Sequence, residues 1–127
     1  MVARVLVIED DPPSLELMLS TLSAFGFDVI GVSTGLAGLE RARTERPDLI
    51  VCDIQLPDID GLLIAQTLKS DPLLHHVPLV GASACAAPDD RADADAAGFD
   101  AYLTKPLDFA QLLSTLRRLT STPQSVG

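Results

Sequence analysis

The sequence has few cysteines and no long apolar segment. Its two cysteines, Cys52 and Cys85, provide neither a disulfide framework nor the ligand spacing of a metal site. No apolar run approaches the ~18 residues that a helix needs to cross a bilayer, and the N-terminal residues predict no secretory signal. We therefore expect a cytoplasmic protein with no membrane partner.

Basic residues are also scarce. Nine lysines and arginines stand against eighteen aspartates and glutamates, which gives a formal net charge of −9. Nucleic acid backbones need a basic surface, so direct binding to nucleic acid is not expected. The chain has 127 residues, of which 47% are hydrophobic. It predicts one folded domain over residues 1–120 and a short polar tail over residues 121–127.

A carboxylate ends the most apolar stretch of the chain. Residues 49–52 have the composition of a strand that is buried on both faces, and Asp53 follows them directly. The chain then enters a loop that contains Pro57 and ends at Asp60 and Gly61. An uncompensated charge at such a place costs roughly several kcal/mol. A partner or a cation is therefore expected beside Asp53.

Apolar patterning predicts an alternation of strands and helices. The predicted strands are residues 4–8, 27–32, 49–53, 77–82 and 101–103. Five helices are predicted between and after them, the second with Leu36, Leu39 and Ala42 facing the core. The fourth, residues 88–97, is expected to offer little besides alanine to a core. This alternation indicates an α/β fold, with helices on both faces of a five-stranded parallel sheet and right-handed crossovers.

Polar residues follow four of the predicted strands. In a parallel sheet the carboxyl ends of the strands lie at one edge, where ligands bind. Crowded carboxylates repel one another and favour a cation, and oxygen ligands suit Mg²⁺. An aspartate there can also act as a nucleophile toward phosphorus, and a lysine or a serine can contact phosphoryl oxygens. The residues at this edge are Glu9, Asp10, Asp11, Asp53, Ser83 and Lys105.

Four motifs resemble the receiver domain of bacterial two-component response regulators. The resemblance extends over about residues 4–119. It implies a flavodoxin-like, doubly wound sheet with strand order 2-1-3-4-5 and five helices. The motifs are Val-Leu-Val-Ile-Glu-Asp-Asp at 5–11, Asp-Ile-Gln-Leu-Pro-Asp-Ile-Asp-Gly at 53–61, Pro-Leu-Val-Gly-Ala-Ser-Ala at 78–84 and Tyr-Leu-Thr-Lys-Pro at 102–106.

The resemblance also implies roles for single residues. Asp53 resembles the phosphoacceptor, and Lys105 and Ser83 resemble the residues that assist it. The implied switch residues are Ser83 and Tyr102. The implied Mg²⁺ ligands are Asp10, its companion Glu9, Asp53 and the backbone carbonyl of Gln55.

The function implied is that of a signalling module rather than an enzyme. A histidine kinase or a histidine phosphotransfer protein would donate the phosphoryl group to Asp53 in a two-component system or phosphorelay. The face made by the fourth helix, the fifth strand and the fifth helix would then switch, with at most slow autodephosphorylation. The expected state is a monomer or a weak dimer. The sequence names neither the kinase nor the downstream protein partner.

Two other functions stay open. A phosphatase of the haloacid dehalogenase type also uses an aspartate nucleophile and Mg²⁺, but it places a second aspartate where this chain has Gln55, which is no proton donor. A receiver-like interaction module that is never phosphorylated is the other alternative. Asp58 and Asp60 are interpreted as structural, and His75 and His76 as an exposed loop pair.

Overall fold

The computed structural model describes residues 2–84 and 87–120. Cys85 and the predicted tail lie outside these ranges. The strands are β1 Arg4–Ile8, β2 Asp28–Val32, β3 Leu49–Asp53, β4 Leu79–Ser83 and β5 Ala101–Thr104. The helices are α1 Pro12–Ala24, α2 Gly35–Glu45, α3 Gly61–Ser70, α4 Pro88–Ala97 and α5 Phe109–Thr120.

The five strands form one parallel sheet in the order β2-β1-β3-β4-β5. This arrangement confirms the doubly wound, flavodoxin-like fold that the resemblance implied. Strand β4 begins two residues later than predicted, because the Val77 amide closes a turn with the carbonyl of Leu74 instead of joining the sheet. It also runs one residue further and ends on Ser83.

The sheet separates two apolar cores. Helices α1 and α5 pack on one face, and α2, α3 and α4 pack on the other. Alternate residues of β1 and β3 point into the two cores, and every residue of β3 is buried. The uninterrupted apolar run before Asp53 therefore reflects burial on both faces of the sheet, as predicted.

The prediction that Leu36 faces the core is wrong. Its side chain is 61% exposed, because the buried face of α2 runs through Gly35, Gly38, Leu39 and Ala42. Successive residues of a helix are turned by about 100°, which carries Leu36 away from that face. A Cβ on Gly38 would lie 2.4 Å from the Ile8 side chain of β1, so a larger residue there would require this buried side chain to move.

Helix α4 is attached weakly, as its composition predicted. Its buried residues are Ala94 and Ala97, and no side chain caps its N-terminus at Ala87. Other helices have such caps. Asp60 accepts a hydrogen bond from the Leu62 amide at the start of α3, and Asp58 accepts two from α2, at Gly35 and Leu36. Within the described residues, no helix has the length and apolarity needed to cross a membrane.

Candidate functional site

Three carboxylates meet where β1 and β3 end. Glu9 and Asp10 follow β1, and Asp53 is the last residue of β3. The two strands are neighbours in register, with Ile8 paired to Cys52. One oxygen from each carboxylate lies within 4.8 Å of the others. Glu9 and Asp53 are only 2% and 5% exposed, whereas Asp10 is open to solvent. The topology thus produces the acidic cluster that the sequence predicted.

Lys105 brings a positive charge to this cluster from the end of β5. Its ammonium Nζ lies 3.0 Å from Asp53 Oδ2 and 2.8 Å from Glu9 Oε1. Its backbone amide donates to the Ser83 carbonyl, and its peptide bond to Pro106 is cis. The sequence predicted the pair with Asp53. It did not predict the pair with Glu9. The one hint in the sequence was that a glutamate side chain is one methylene longer than an aspartate side chain and can therefore reach further toward Lys105.

The electrostatics of the site keep Lys105 charged. Burial alone lowers the pKa of the Lys105 ammonium, but its hydrogen bonds to Glu9 and Asp53 and their negative charges outweigh burial, so the pKa is raised. The pKa of the neighbouring Cys52 thiol is also raised, but for this group the protonated form is the neutral one. Burial, and then the charges of Asp53 and Glu9, raise the pKa of Cys52. The thiol therefore stays protonated and is no competing nucleophile.

Gln55, Ser83 and Tyr102 lie together at the side of the site nearest α4. The backbone amide of Gln55 donates to Asp53 Oδ1 at 2.9 Å, which fixes the orientation of that carboxylate. Ser83 is buried at the end of β4, one residue after the partner of Asp53 in the sheet. All three residues line a small cleft of about 90 Å³. The arrangement brings both predicted switch residues into one cleft with Gln55, whose backbone amide contacts the predicted phosphoacceptor.

Asp11 belongs to α1 rather than to the cluster. Its carboxylate accepts hydrogen bonds from the amide and the hydroxyl of Ser14 and so caps the helix. The Ser14 hydroxyl, followed by the Ser14 amide, lowers the pKa of Asp11. Its own amide donates to Glu9 Oε2 at 3.1 Å. The backbone amide of Asp11 therefore helps to orient Glu9, while the Asp11 carboxylate caps α1.

An apolar groove beside the site was not predicted. It has a volume of about 270 Å³ and is bordered by Glu9 and Lys105. Leu17 of α1, at its rim, is 54% exposed, because the helical spacing that buries Met18 turns Leu17 outward. The other lining residues are Ser14, Met18, Pro106, Leu107 and Phe109.

Comparison with known proteins agrees with this geometry. The family described as "Response regulator receiver domain" matches residues 5–117. The chain belongs to this family. Receiver domains are signalling modules of two-component systems. The parallel sheet, the acidic cluster and Lys105 are therefore interpreted as parts of such a module.

Curated relatives of this receiver domain cover almost its whole length. It is 34% identical over 113 residues to the polar-differentiation response regulator DivK of Brucella anthropi, with 89% of this chain and 92% of that protein covered. It is 33% identical over 117 residues to DivK of Brucella ovis, with 92% and 95% covered.

Solved structures show the same fold. The receiver domain of the sensor histidine kinase PA1611 from Pseudomonas aeruginosa superposes with a TM-score of 0.88 at 28% identity, covering 96% of this chain and 100% of that one. That structure holds a magnesium ion in its active site cleft. The chemotaxis response regulator CheY4 of Vibrio cholerae gives a TM-score of 0.89 at 24% identity, with 94% and 99% covered, and shares the fold.

Proposed function

We propose that this receiver domain, spanning residues 1–120, accepts a phosphoryl group on Asp53 from a histidine kinase or a histidine phosphotransfer protein. One observation carries the proposal. The buried Asp53 carboxylate has one oxygen held by the Gln55 amide and the other held at 3.0 Å by the Lys105 ammonium. A nucleophile oriented in this way, beside a fixed positive charge, is suited to phosphoryl transfer.

The donor set at the site fits Mg²⁺. Three carboxylates within 4.8 Å of one another offer oxygen ligands alone, and Mg²⁺ is bound by one or two carboxylates together with waters and phosphate oxygens. The residues proposed to hold it are Glu9, Asp10, Asp53 and the backbone carbonyl of Gln55. A bound Mg²⁺ supplies positive charge that offsets the repulsion between these carboxylates and an incoming phosphoryl group.

The covalent step exchanges a phosphorus–nitrogen bond for a phosphorus–oxygen bond. A carboxylate oxygen of Asp53 attacks the phosphorus of a phosphohistidine, and the imidazole nitrogen leaves with the bonding electron pair and takes a proton from water. Lys105, kept charged by its raised pKa, pairs with a phosphoryl oxygen. The Ser83 hydroxyl donates a hydrogen bond to another phosphoryl oxygen.

The product changes the charge and the hydrogen bonding at the cleft. An acyl phosphate at Asp53 carries about −1.5 to −2 charges in place of the single negative charge of the carboxylate, and it brings three acceptor oxygens. We propose that Ser83 moves toward it and that Tyr102 turns into the space this movement leaves. The two conformations pre-exist, and the phosphoryl group shifts their populations at the face of α4, β5 and α5.

Phosphorylation by a small donor tests the proposal. With radiolabelled acetyl phosphate, we expect Mg²⁺-dependent labelling that chelation abolishes. Hydroxylamine should remove the label, because it cleaves acyl phosphates and leaves phosphate esters intact. Absence of labelling would contradict the proposal and favour an interaction module that is never phosphorylated. Steady turnover of a phosphate ester would favour the phosphatase instead.

The groove beside the site is the proposed docking surface of the phosphodonor protein. It borders Glu9 and Lys105, so a helix resting on Leu17 and Phe109 places its phosphohistidine next to Asp53. The exposed apolar area of Leu17 has no other evident use in the described part of the chain. A small phosphodonor such as acetyl phosphate needs no such surface. A substitution in the groove should therefore affect transfer from a protein donor and leave labelling by a small donor unchanged.

Leu17→Glu is therefore expected to slow transfer from a phosphorylated histidine kinase by about tenfold or more. Burial of a leucine contributes about 1.5–3 kcal/mol, and about 1.4 kcal/mol corresponds to tenfold. Labelling by acetyl phosphate should keep the wild-type rate. Leu36→Glu is the matched control, because Leu36 is a similarly exposed helical leucine on the opposite face of the sheet. Equal effects of both variants on the kinase reaction would remove the groove from the account.

A further inference from the structure

Arg91 of α4 contacts an aromatic ring and a hydroxyl instead of a carboxylate. It is the one basic residue of α4, a helix that carries four aspartates. In the described part of the chain no ion pair joins Arg91 to a carboxylate. Its guanidinium lies 4.9 Å from the centre of the Tyr102 ring, and its Nη2 donates to Thr104 Oγ1 at 3.4 Å. Both partners belong to β5, so Arg91 connects the helix to the strand.

This connection is important because α4 has little else to hold its first half in place. Its buried residues, Ala94 and Ala97, lie in the second half, and its N-terminus has no side-chain cap. An arginine that stacks on an aromatic ring contributes through cation–π attraction and through the apolar contact of its stem. Arg91 thus attaches the start of α4 to β5 through Tyr102 and Thr104.

Tyr102 stands between two clefts. On one side, a surface cleft of about 380 Å³ is lined by Tyr102 together with Arg91 and Asp95. On the other side, the cleft of about 90 Å³ is lined by Tyr102, Ser83 and Gln55. Arg91 lines the first of these clefts and not the second, so a ring that moved toward Ser83 would leave the Arg91 guanidinium and end the stack.

We propose that Arg91 is a positioning residue that holds Tyr102 against α4 in the unphosphorylated protein and so opposes the switch. The inference rests on the proposed function in taking Tyr102 as the group that moves. A contact made in one state only shifts the equilibrium by its own free energy. An exposed cation–π contact corresponds to about a two- to fivefold shift in population. Removal of Arg91 favours the phosphorylated conformation by that factor.

Intrinsic fluorescence reports this directly, because Tyr102 is the only tyrosine and the chain has no tryptophan. Without any phosphoryl ligand, acrylamide should quench Tyr102 more strongly in Arg91→Gln than in the wild type, because in the molecules that keep the ring against α4 the guanidinium no longer covers it. With Mg²⁺ present, the beryllofluoride concentration that gives half of the fluorescence change should fall about two- to fivefold. Arg91→Lys, which keeps the charge but loses the planar stack, should lie between the two.

Arg117→Gln is the matched control, since Arg117 also lies over an aromatic ring, that of Phe25, at 5.8 Å. It should behave as the wild type in both measurements. Unchanged quenching in Arg91→Gln, or an unchanged half-saturation, overturns the inference. If Arg91→Gln fails to fold, wild-type behaviour of Arg91→Lys overturns it instead. Failure of every variant to bind beryllofluoride would contradict the proposed function, while the quenching comparison would still decide whether Arg91 covers Tyr102.

Discussion

Asp53→Asn is expected to reduce labelling by acetyl phosphate to background, a loss of at least about a hundredfold. The amide has the shape of the carboxylate but no anionic oxygen to attack phosphorus. Its remaining oxygen can still accept the hydrogen bond from the Gln55 amide, and Lys105 keeps its contact with Glu9. The fold should therefore survive, and circular dichroism should confirm that the variant is folded before it is labelled.

Asp58→Asn is the control for this experiment. Asp58 lies in the loop that follows β3 and has the same charge as Asp53, but its carboxylate caps α2 through the amides of Gly35 and Leu36. These hydrogen bonds, that of Leu36 first, lower the pKa of Asp58, so it is ionised at neutral pH. The control should be labelled like the wild type. Wild-type labelling of Asp53→Asn would remove Asp53 from its role.

Asp10→Asn is expected to remove about half or more of the stabilisation that Mg²⁺ gives to the wild type. A ligand present at a hundredfold excess over its Kd stabilises a folded protein by about 2.7 kcal/mol. Loss of one carboxylate from three should weaken binding by about tenfold or more, because Mg²⁺ depends on charge at a site with so few ligands. Thermal unfolding at a series of Mg²⁺ concentrations measures both the affinity and the stabilisation.

The same experiment has an internal check at zero Mg²⁺. Asp10 is exposed and belongs to a group of mutually repelling carboxylates, so its neutralisation should not lower the unfolding temperature of the metal-free protein. Asp11→Asn provides the control, because the Asp11 carboxylate caps α1 through Ser14. It should keep the full response to Mg²⁺. A response lost in Asp11→Asn and kept in Asp10→Asn would place the metal elsewhere.

The sequence alone predicted most of the fold, because each strand has a local signal. Residues 49–52 are apolar without interruption, and this pattern depends only on burial of both sheet faces. The strand order did not follow from such patterns. Alternation of strands and helices determines the handedness of the crossovers but leaves several orders open, so the order 2-1-3-4-5 depended on the family resemblance. The structure then confirmed it.

The sequence predicted those residues of the site that are placed by the ends of the strands. It did not predict contacts that depend on how far a side chain extends or on how a helix is rotated. Parallel strands bring Asp10, Asp53 and Lys105 to one edge whatever the details of packing. The second contact of Lys105, with Glu9, depends on the length of a buried side chain. The position of Arg91 over Tyr102 depends on how α4 is rotated against β5, and a helix whose inward face is alanine gives little sequence signal for its rotation.

The central claim is that the phosphoryl group is carried by the carboxylate of Asp53, and one measurement tests it most directly. The protein is phosphorylated by acetyl phosphate with Mg²⁺, reduced with borohydride, digested and sequenced by mass spectrometry. Borohydride converts an aspartyl phosphate to homoserine and leaves free carboxylates unchanged. The account predicts homoserine at position 53 alone. Homoserine at Asp10 or Asp11 instead, or none at all in a protein that carries the label, would contradict it.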